Sequence, residues 1–590
     1  MIHYKITPSP LDHEWHILLT FTQDDDLPIE ISLPNWVPGS YLIRDFSRHI
    51  TSIHASCNGT SMPLEQIAKN RWHAAAVRGE WQIRYTVYAF DLSVRGSFLT
   101  TERGFFDGSC LFLKVEGTET LPHRLELTGI PSEWRIATTL PETGRFVFQA
   151  ASYAELIDRP VEMGLIEFLD FEAAGIPHTI ALSGIYPDFD RNRLVSDIKK
   201  ICETELAVFS SPAPFQKYLF LLHVGDHIYG GLEHADSTAL LADRHSLPPF
   251  GMTDADDAYT TLLGLFSHEY FHAWNVKSIK PAAFAPYDLD KENYTEQLWA
   301  FEGITSYYDD LFLARSRTIS PESYLNLLAQ GITRVQQTRG RLRQTLAESS
   351  FTAWNKFYKP DENSPNAIVS YYQKGALAAL CLDLIIRNRS NGRHSLDTIM
   401  DKLYREWRDT LYREWRDTHS GIPEKHWQIR CQEITGLDLE DFFQKALYST
   451  ENLPLAECLA TAGVGLTFLP LPRQHGGGYA EHICPVPSAG DFGARFKQNA
   501  DHIVLTHVFN GGSAESAALC PQDKIIALDG YACTDFTAQW ARYHVNAKIN
   551  IHFFRAGILR QTVLTVQAAA ADTAILHITD RNLLDNWLFG

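Results

Sequence analysis

Leu262-Leu263-Gly264-Leu265-Phe266-Ser267-His268-Glu269-Tyr270-Phe271-His272 is an apolar run of helical character that ends in two histidines four residues apart. On a helix this spacing stacks the two imidazoles one turn apart on one face, where both can reach a single Zn²⁺ at about 2.0 to 2.1 Å. Glu269, between them, lies beside such a metal. It can take a proton from an activated water and later pass it to a leaving amine. His268 and His272 are therefore candidate metal ligands, and Glu269 is the candidate general base.

Upstream, Thr253 followed by Asp254 and Asp256 reads as a helix start with a capping side chain and an acidic first turn. From there to about residue 450 helical periodicity dominates, as in Glu296 to Leu313 and Lys374 to Arg387. The third ligand is expected at Glu302, in Trp299-Ala300-Phe301-Glu302-Gly303-Ile304-Thr305-Ser306-Tyr307-Tyr308. Its neighbours Leu298, Trp299 and Phe301 place it in apolar surroundings, and a buried carboxylate needs a partner such as a metal. Two histidines and a glutamate leave one zinc position open, as catalysis requires. Asp309, about two turns further on, either hydrogen-bonds a ligand histidine or faces solvent with Asp310.

Outside this helical part the pattern is β. Residues 1–165 alternate in segments such as His16 to Phe21, Ile29 to Leu33 and Trp81 to Ala89, broken by turns such as Pro38-Gly39-Ser40, and predict a β-sandwich. Residues from about 170 to 250 mix short apolar runs with loops, and after about 460 short strands and turns return. A chain of 590 residues is too long for one core, so several domains are expected. The octapeptide Leu-Tyr-Arg-Glu-Trp-Arg-Asp-Thr occurs twice in tandem, at 403–410 and 411–418. The copy either lengthens an amphipathic helix by about two turns or is absorbed in a bulge or loop.

The net charge of −19, with no local basic patch, argues against nucleic acid and anionic membranes as partners. No uncharged apolar stretch approaches the length of a membrane span, and Met1 to Pro8 lacks the basic and apolar features of a secretory signal, so a cytoplasmic protein is expected. The nine scattered cysteines never form Cys-x-x-Cys. That argues against disulfides and against a thiolate zinc site, and fits a reducing compartment.

The run from His268 through Ala273-Trp274-Asn275-Val276-Lys277-Ser278-Ile279-Lys280-Pro281 resembles the glycyl aminopeptidase family, PDZ-bearing relatives of thermolysin and aminopeptidase N. The likeness extends to Phe301-Glu302-Gly303-Ile304-Thr305, to Ser349-Ser350-Phe351-Thr352-Ala353-Trp354, and to Leu33-Pro34-Asn35-Trp36-Val37-Pro38-Gly39-Ser40-Tyr41. It implies that Gly230-Gly231-Leu232-Glu233-His234 lines the substrate cleft, with Glu233 holding the peptide's free amino group. Leu232 and His234 stand where the relatives have methionine and asparagine. It further implies that Tyr372, before Gln373-Lys374-Gly375, donates to the oxyanion, with adjacent Tyr371 as the competing choice. The C-terminal part resembles a PDZ domain, whose carboxylate-binding loop would be Phe492, Gly493, Ala494, Arg495 and Phe496 and whose ligand would be a peptide C-terminus. Gln522 stands where a later turn usually has glycine.

The expected fold is multidomain α+β: an N-terminal β-sandwich-like domain (1–165), a thermolysin-like catalytic domain with a mixed sheet and a helical half (166–455), a PDZ-like domain (460–570) and a tail (571–590). The expected function is a gluzincin-type aminopeptidase with one Zn²⁺ per chain, acting on peptides with small N-terminal residues such as Gly or Ala. The alternatives are a PDZ-assisted zinc endopeptidase and a catalytically inactive peptide-binding scaffold.

Overall fold

The computed structural model describes residues 1–408, 421–473, 476–482 and 490–590. The chain forms two compact units, Met1–Asn293 with Asp401–Ile422, and Tyr294–Met400 with Pro423–Gly590.

The N-terminal part of the first unit is β-rich. Buried and accessible side chains alternate along Ile2–Ser9, Glu14–Gln23 and Gly79–Tyr88, so each strand has a core face and an outer face. These strands sit centrally in an eight-stranded sheet, and two four-stranded sheets accompany it. One core cluster holds Tyr4, Trp15, Trp81 and Tyr85, all fully buried. Buried backbone outside a ladder must find other partners. Here the hydroxyls of Tyr4, Tyr85 and Tyr153 donate to the carbonyls of Leu113, Leu111 and Phe112 at 2.6, 2.9 and 2.8 Å.

The same core extends through Leu219, Leu221, Leu232, Ala239 and Leu241 into a second, five-stranded sheet. Its order is Glu167–Ala173, Ile176–Gly184, Tyr218–Gly225, Ser237–Asp243, Gly230–Glu233. Ile176–Gly184, Tyr218–Gly225 and Ser237–Asp243 run parallel, and Gly230–Glu233 is an antiparallel edge strand. Because Leu232 belongs to that shared core, the edge strand is fixed by the N-terminal β part as well as by its own ladder. The helix Asp257–Phe271 follows, buried on most of its surface. Its N-cap is Asp256, whose carboxylate accepts from Tyr259 N–H, so it starts later than Thr253. Asp256 has the extended backbone and the capping oxygen that an N-cap needs.

In the second unit the expected helix from Glu296 begins instead with a π-helical turn, Trp299–Gly303, which runs into Ile304–Arg315. Such turns insert an extra residue and concentrate at functional positions. Gly303 meets the backbone of Gly375, in the helix Gln373–Arg389: a Cβ on Gly303 would lie 2.6 Å from Gly375 Cα. Two glycines facing each other let these backbones touch.

The C-terminal module of this unit has its own core around Phe492, Ile503, Leu505, Phe536 and Ile551, and a six-stranded sheet. Asp523 is buried there and accepts from Arg555 through both oxygens, at 2.8 and 2.7 Å. Residues 571–590, read as a tail, form the strand Thr573–Ile578 and the helix Arg581–Phe589. Ala574 N–H donates to Thr333 Oγ1 at 2.9 Å, within the same unit. The helix Leu396–Arg408 contains most of the first octapeptide copy, with Leu403 and Tyr404 buried, whereas the second copy, 411–418, lies outside the described residues. The described cysteines are all free, and among the described residues no helix is long and apolar enough to cross a membrane.

Gly303→Ala should therefore lower the thermal midpoint by an amount equivalent to about 1 to 3 kcal/mol, the usual cost of overpacking. Gly331→Ala, in the helix Pro321–Gln337, meets nothing closer than 3.9 Å and should be neutral or stabilising. Thermal unfolding of both variants followed by circular dichroism checks the contrast.

Candidate functional site

In the first unit His268 closes the last turn of Asp257–Phe271 and His272 is its C-cap. Their Nε2 atoms lie 3.1 Å apart, with the rings 4.6 Å between centroids and nearly perpendicular. His272 Nδ1 sits 2.7 Å from the carbonyl oxygen of Asn275. A carbonyl only accepts, so the ring proton is on Nδ1 and Nε2 presents a lone pair. Two nitrogens bound at 2.0 to 2.1 Å around a tetrahedral ion stand about 3.3 Å apart, close to the spacing found.

Glu269 is buried, and its Oε2 has no hydrogen-bond partner. Ligand atoms of Glu233, Glu269 and His272 all lie within 4.8 Å of one another. Burial pushes the Glu269 carboxyl up to about 7, the neighbouring His268 and His272 oppose this, and the Glu233 charge adds to it. Two buried carboxylates side by side, one with an orphaned oxygen, beside paired imidazole lone pairs, make a donor set suited to a divalent cation.

The edge strand brings Glu233 and the glycines to this cluster. A Cβ on Gly231 would overlap Glu269 Oε1, so the strand passes the carboxylate because it has no side chain there. Gly39, at φ +94°, does the same for Glu233: a Cβ would stand 2.5 Å from both carboxylate oxygens. The loop of Gly39 is tied down by Asn35 Nδ2 and Trp36 Nε1, which donate to the carbonyls of Asp290 and Asp288 at 2.9 Å each. Asp158 fixes the next residue along. It accepts from Lys277 Nζ at 2.6 Å and lies 3.1 Å from His234 Nδ1. Burial opposes its ionisation, but Lys277 and His234 hold its carboxyl far below the usual range.

In the second unit Glu302 is buried in the π turn, and Tyr372 stands just before the helix Gln373–Arg389. Burial, then the charge of Glu302, raise the Tyr372 hydroxyl well above its ordinary value. Tyr358 OH lies 3.2 Å from it. Tyr371 is wholly buried and stacks on Tyr372 at 4.6 Å. Asp309 is half-buried, accepts from Asp310 N–H at 2.6 Å, and reaches Arg334 electrostatically. In the C-terminal module Gly493, at φ +74°, donates its N–H to Asp491 Oδ1 at 3.0 Å, and Phe492 and Phe496 both pack on Phe536 at 4.7 Å.

Thus the first unit gathers His268, Glu269, His272, Gly231 and Glu233, and the second places Glu302 near Tyr372. Three contributors were not read from the sequence as site residues: the Asn275 carbonyl, the Asp158–Lys277 pair and Arg95, whose Nη2 donates to Gly231 O at 2.9 Å. Backbone acceptors and partners from distant segments leave no local pattern. The Asn-Val-Lys run after His272 was the available signal for the first two.

The sequence model of the M61 glycyl aminopeptidase family matches residues 261–378, and that of the M61 peptidase N-terminal domain matches residues 3–165. The chain is 40% identical to an aminopeptidase N family protein from Idiomarina loihiensis, whose crystal structure superposes with a TM-score of 0.94 over 100% of both chains. Two crystal structures of an M1 zinc metallopeptidase from Deinococcus radiodurans align over 77% of this chain and 94% of theirs, at 14% and 13% identity and TM-scores of 0.47 and 0.46. No curated protein matches the chain. Fold, site and full-length likeness define a peptidase class. The chain belongs to the M61 glycyl aminopeptidase family.

Gly231→Ala should displace the carboxylate of Glu269, the candidate general base, and lower turnover about 100-fold, the usual cost of a small misplacement of a reacting group. Gly230→Ala, whose Cβ would meet nothing closer than 3.7 Å, should lose far less. Steady-state rates on a glycyl reporter peptide, with circular dichroism to check folding, test this.

Proposed function

We propose that this protein is a zinc aminopeptidase that removes the N-terminal residue from peptides, with small residues such as glycine and alanine favoured. The observation that carries this is Glu233, a buried carboxylate at the end of the edge strand, within 4.8 Å of Glu269 and His272. A carboxylate so placed can neutralise the ammonium group of a peptide whose first carbonyl lies beside Glu269.

His268, His272 and Glu302 would hold one zinc ion per chain. When bound, zinc polarises a carbonyl and makes water acidic near neutral pH. Glu269 takes the proton of the attacking water and delivers it to the departing amine. Its place between the two histidines suits that shuttle. Tyr372 donates its hydroxyl to the oxyanion, where a single donor is worth about 10²-fold or more. It keeps some exposure while Tyr371 has none, which supports the choice between them. Asn275 and the Asp158–Lys277–His234 group keep His272 and the edge strand oriented.

The same reading assigns a thermolysin-like catalytic domain to 166–455 and a PDZ-like domain to 460–570. At Phe492 to Phe496, where a peptide C-terminus would be captured, the Gly493 N–H is already bonded to Asp491. The free, mostly buried cysteines support residence in a reducing compartment such as the cytoplasm.

The rival reading is an endopeptidase in which Glu233 only lines the cleft. With glycyl and acetyl-glycyl versions of one reporter, kcat/KM should favour the free amine by about 100-fold or more, since the blocked peptide leaves Glu233 buried and unpaired. Glu233→Ala should erode that ratio by weakening the free-amine substrate. Equal cleavage of both by the wild-type protein would establish the endopeptidase.

A further inference from the structure

Arg95 lies on the loop Asp91 to Gly96, at the other end of the edge strand from Glu233. Its Nη2 donates to Gly231 O at 2.9 Å, and Nη1 stands 3.8 Å from where a Gly230 Cβ would be. Nε is buried without a hydrogen-bond partner, and among the described residues no carboxylate lies within 4.0 Å of the guanidinium. The group nevertheless contributes to the field at Glu269.

The loop is rigid. Val94 is buried in the core, Arg95 N–H donates to Ser93 Oγ at 3.2 Å, Ser93 N–H to Asp91 O at 2.9 Å, and Asp107 N–H to Gly96 O at 3.1 Å. A Cβ on Gly96 would overlap the Asp91 side chain, so the loop also closes on itself. An arginine held this firmly without an anionic partner has an unfilled role, because a guanidinium fork is built for bidentate pairing with a carboxylate.

The order of groups along the strand indicates which carboxylate. Glu233 stands at one end, Glu269 faces Gly231, and Arg95 spans Gly231 and Gly230. Gly230 to Glu233 covers about 10 Å at the usual strand rise. A peptide lying antiparallel along this edge, with its ammonium at Glu233 and its first carbonyl at Glu269, sends its next residues toward Arg95. A dipeptide or tripeptide reaches about 7 to 10 Å when extended.

The geometry points to Arg95 as a specificity-determining residue that binds the C-terminal carboxylate of di- and tripeptide substrates, so that the protein measures short peptides from both ends. This rests on the aminopeptidase reading above. The chemistry at the scissile bond is unchanged; Arg95 adds a charge-assisted contact that only a free, nearby C-terminus can make.

The test uses zinc-loaded Glu269→Gln protein, which should hold peptides without cutting them, titrated calorimetrically with triglycine, triglycine amide and acetyl-triglycine. Triglycine should bind about tenfold or more tightly than its amide. Adding Arg95→Gln should abolish the preference for triglycine over its amide, and adding Arg95→Lys should keep an intermediate preference. Zinc content and far-UV circular dichroism verify each variant. Equal affinity for acid and amide with Arg95 present, a uniform loss on all peptides in Arg95→Gln, or no binding of either would overturn the proposal. If acetyl-triglycine binds as well as triglycine, the amine-binding role of Glu233 fails, while the ratio of acid to amide still reports on Arg95.

Discussion

The buried carboxylate of Glu269 is the constraint around which the first unit is arranged. An ionised carboxylate with one oxygen unpartnered is costly in a protein interior, and a second buried carboxylate, Glu233, raises the cost. Ordinary packing would fill the space with an apolar side chain. Here Gly231 and Gly39 leave room for the two carboxylates, while His268 and His272 turn their Nε2 atoms toward each other. The arrangement makes sense when a cation sits among these groups.

Rigidity at that centre comes from elements far from it in sequence. Leu232 belongs to a core shared with strands of the N-terminal β part, so the edge strand cannot shift alone. Asp158, which follows the helix Tyr153–Ile157, ties Lys277 and His234 together. The Asn275 carbonyl settles the tautomer of His272. In the second unit the contact of Gly303 with Gly375 sets the turn carrying Glu302 against the start of the Tyr372 helix. Each device fixes a candidate site side chain through its neighbours, which is how sites achieve tolerances of a fraction of an ångström.

Much of this was legible in the sequence. The spacing of His268 and His272 predicts both their shared face and the helix, and alternation predicts the β-rich N-terminal part, because periods of 3.6 and 2 are properties of short segments. What was missed depends on distant partners or on choices among equivalent local signals. The helix cap fell on Asp256 rather than Thr253 because several side chains in that stretch offer a capping oxygen. The π turn at Glu302 has no periodic signature. The role of Lys277 required Asp158, and that of Arg95 required knowing that its loop lies beside Gly231. Residues 571–590 looked like a tail because the strand Thr573–Ile578 is short and its partners lie about a hundred residues upstream.

The central claim, that His268, His272 and Glu302 hold a zinc ion for which Glu269 serves as base, is tested most directly by zinc content measured together with turnover in the wild-type protein, Glu269→Gln and Glu302→Ala. The account predicts one zinc per chain and peptide hydrolysis in the wild type, full zinc with turnover reduced about 10³-fold in Glu269→Gln, and loss of both in Glu302→Ala. A wild-type protein that cleaves peptides without metal, or a Glu269→Gln protein as fast as wild type, would contradict it.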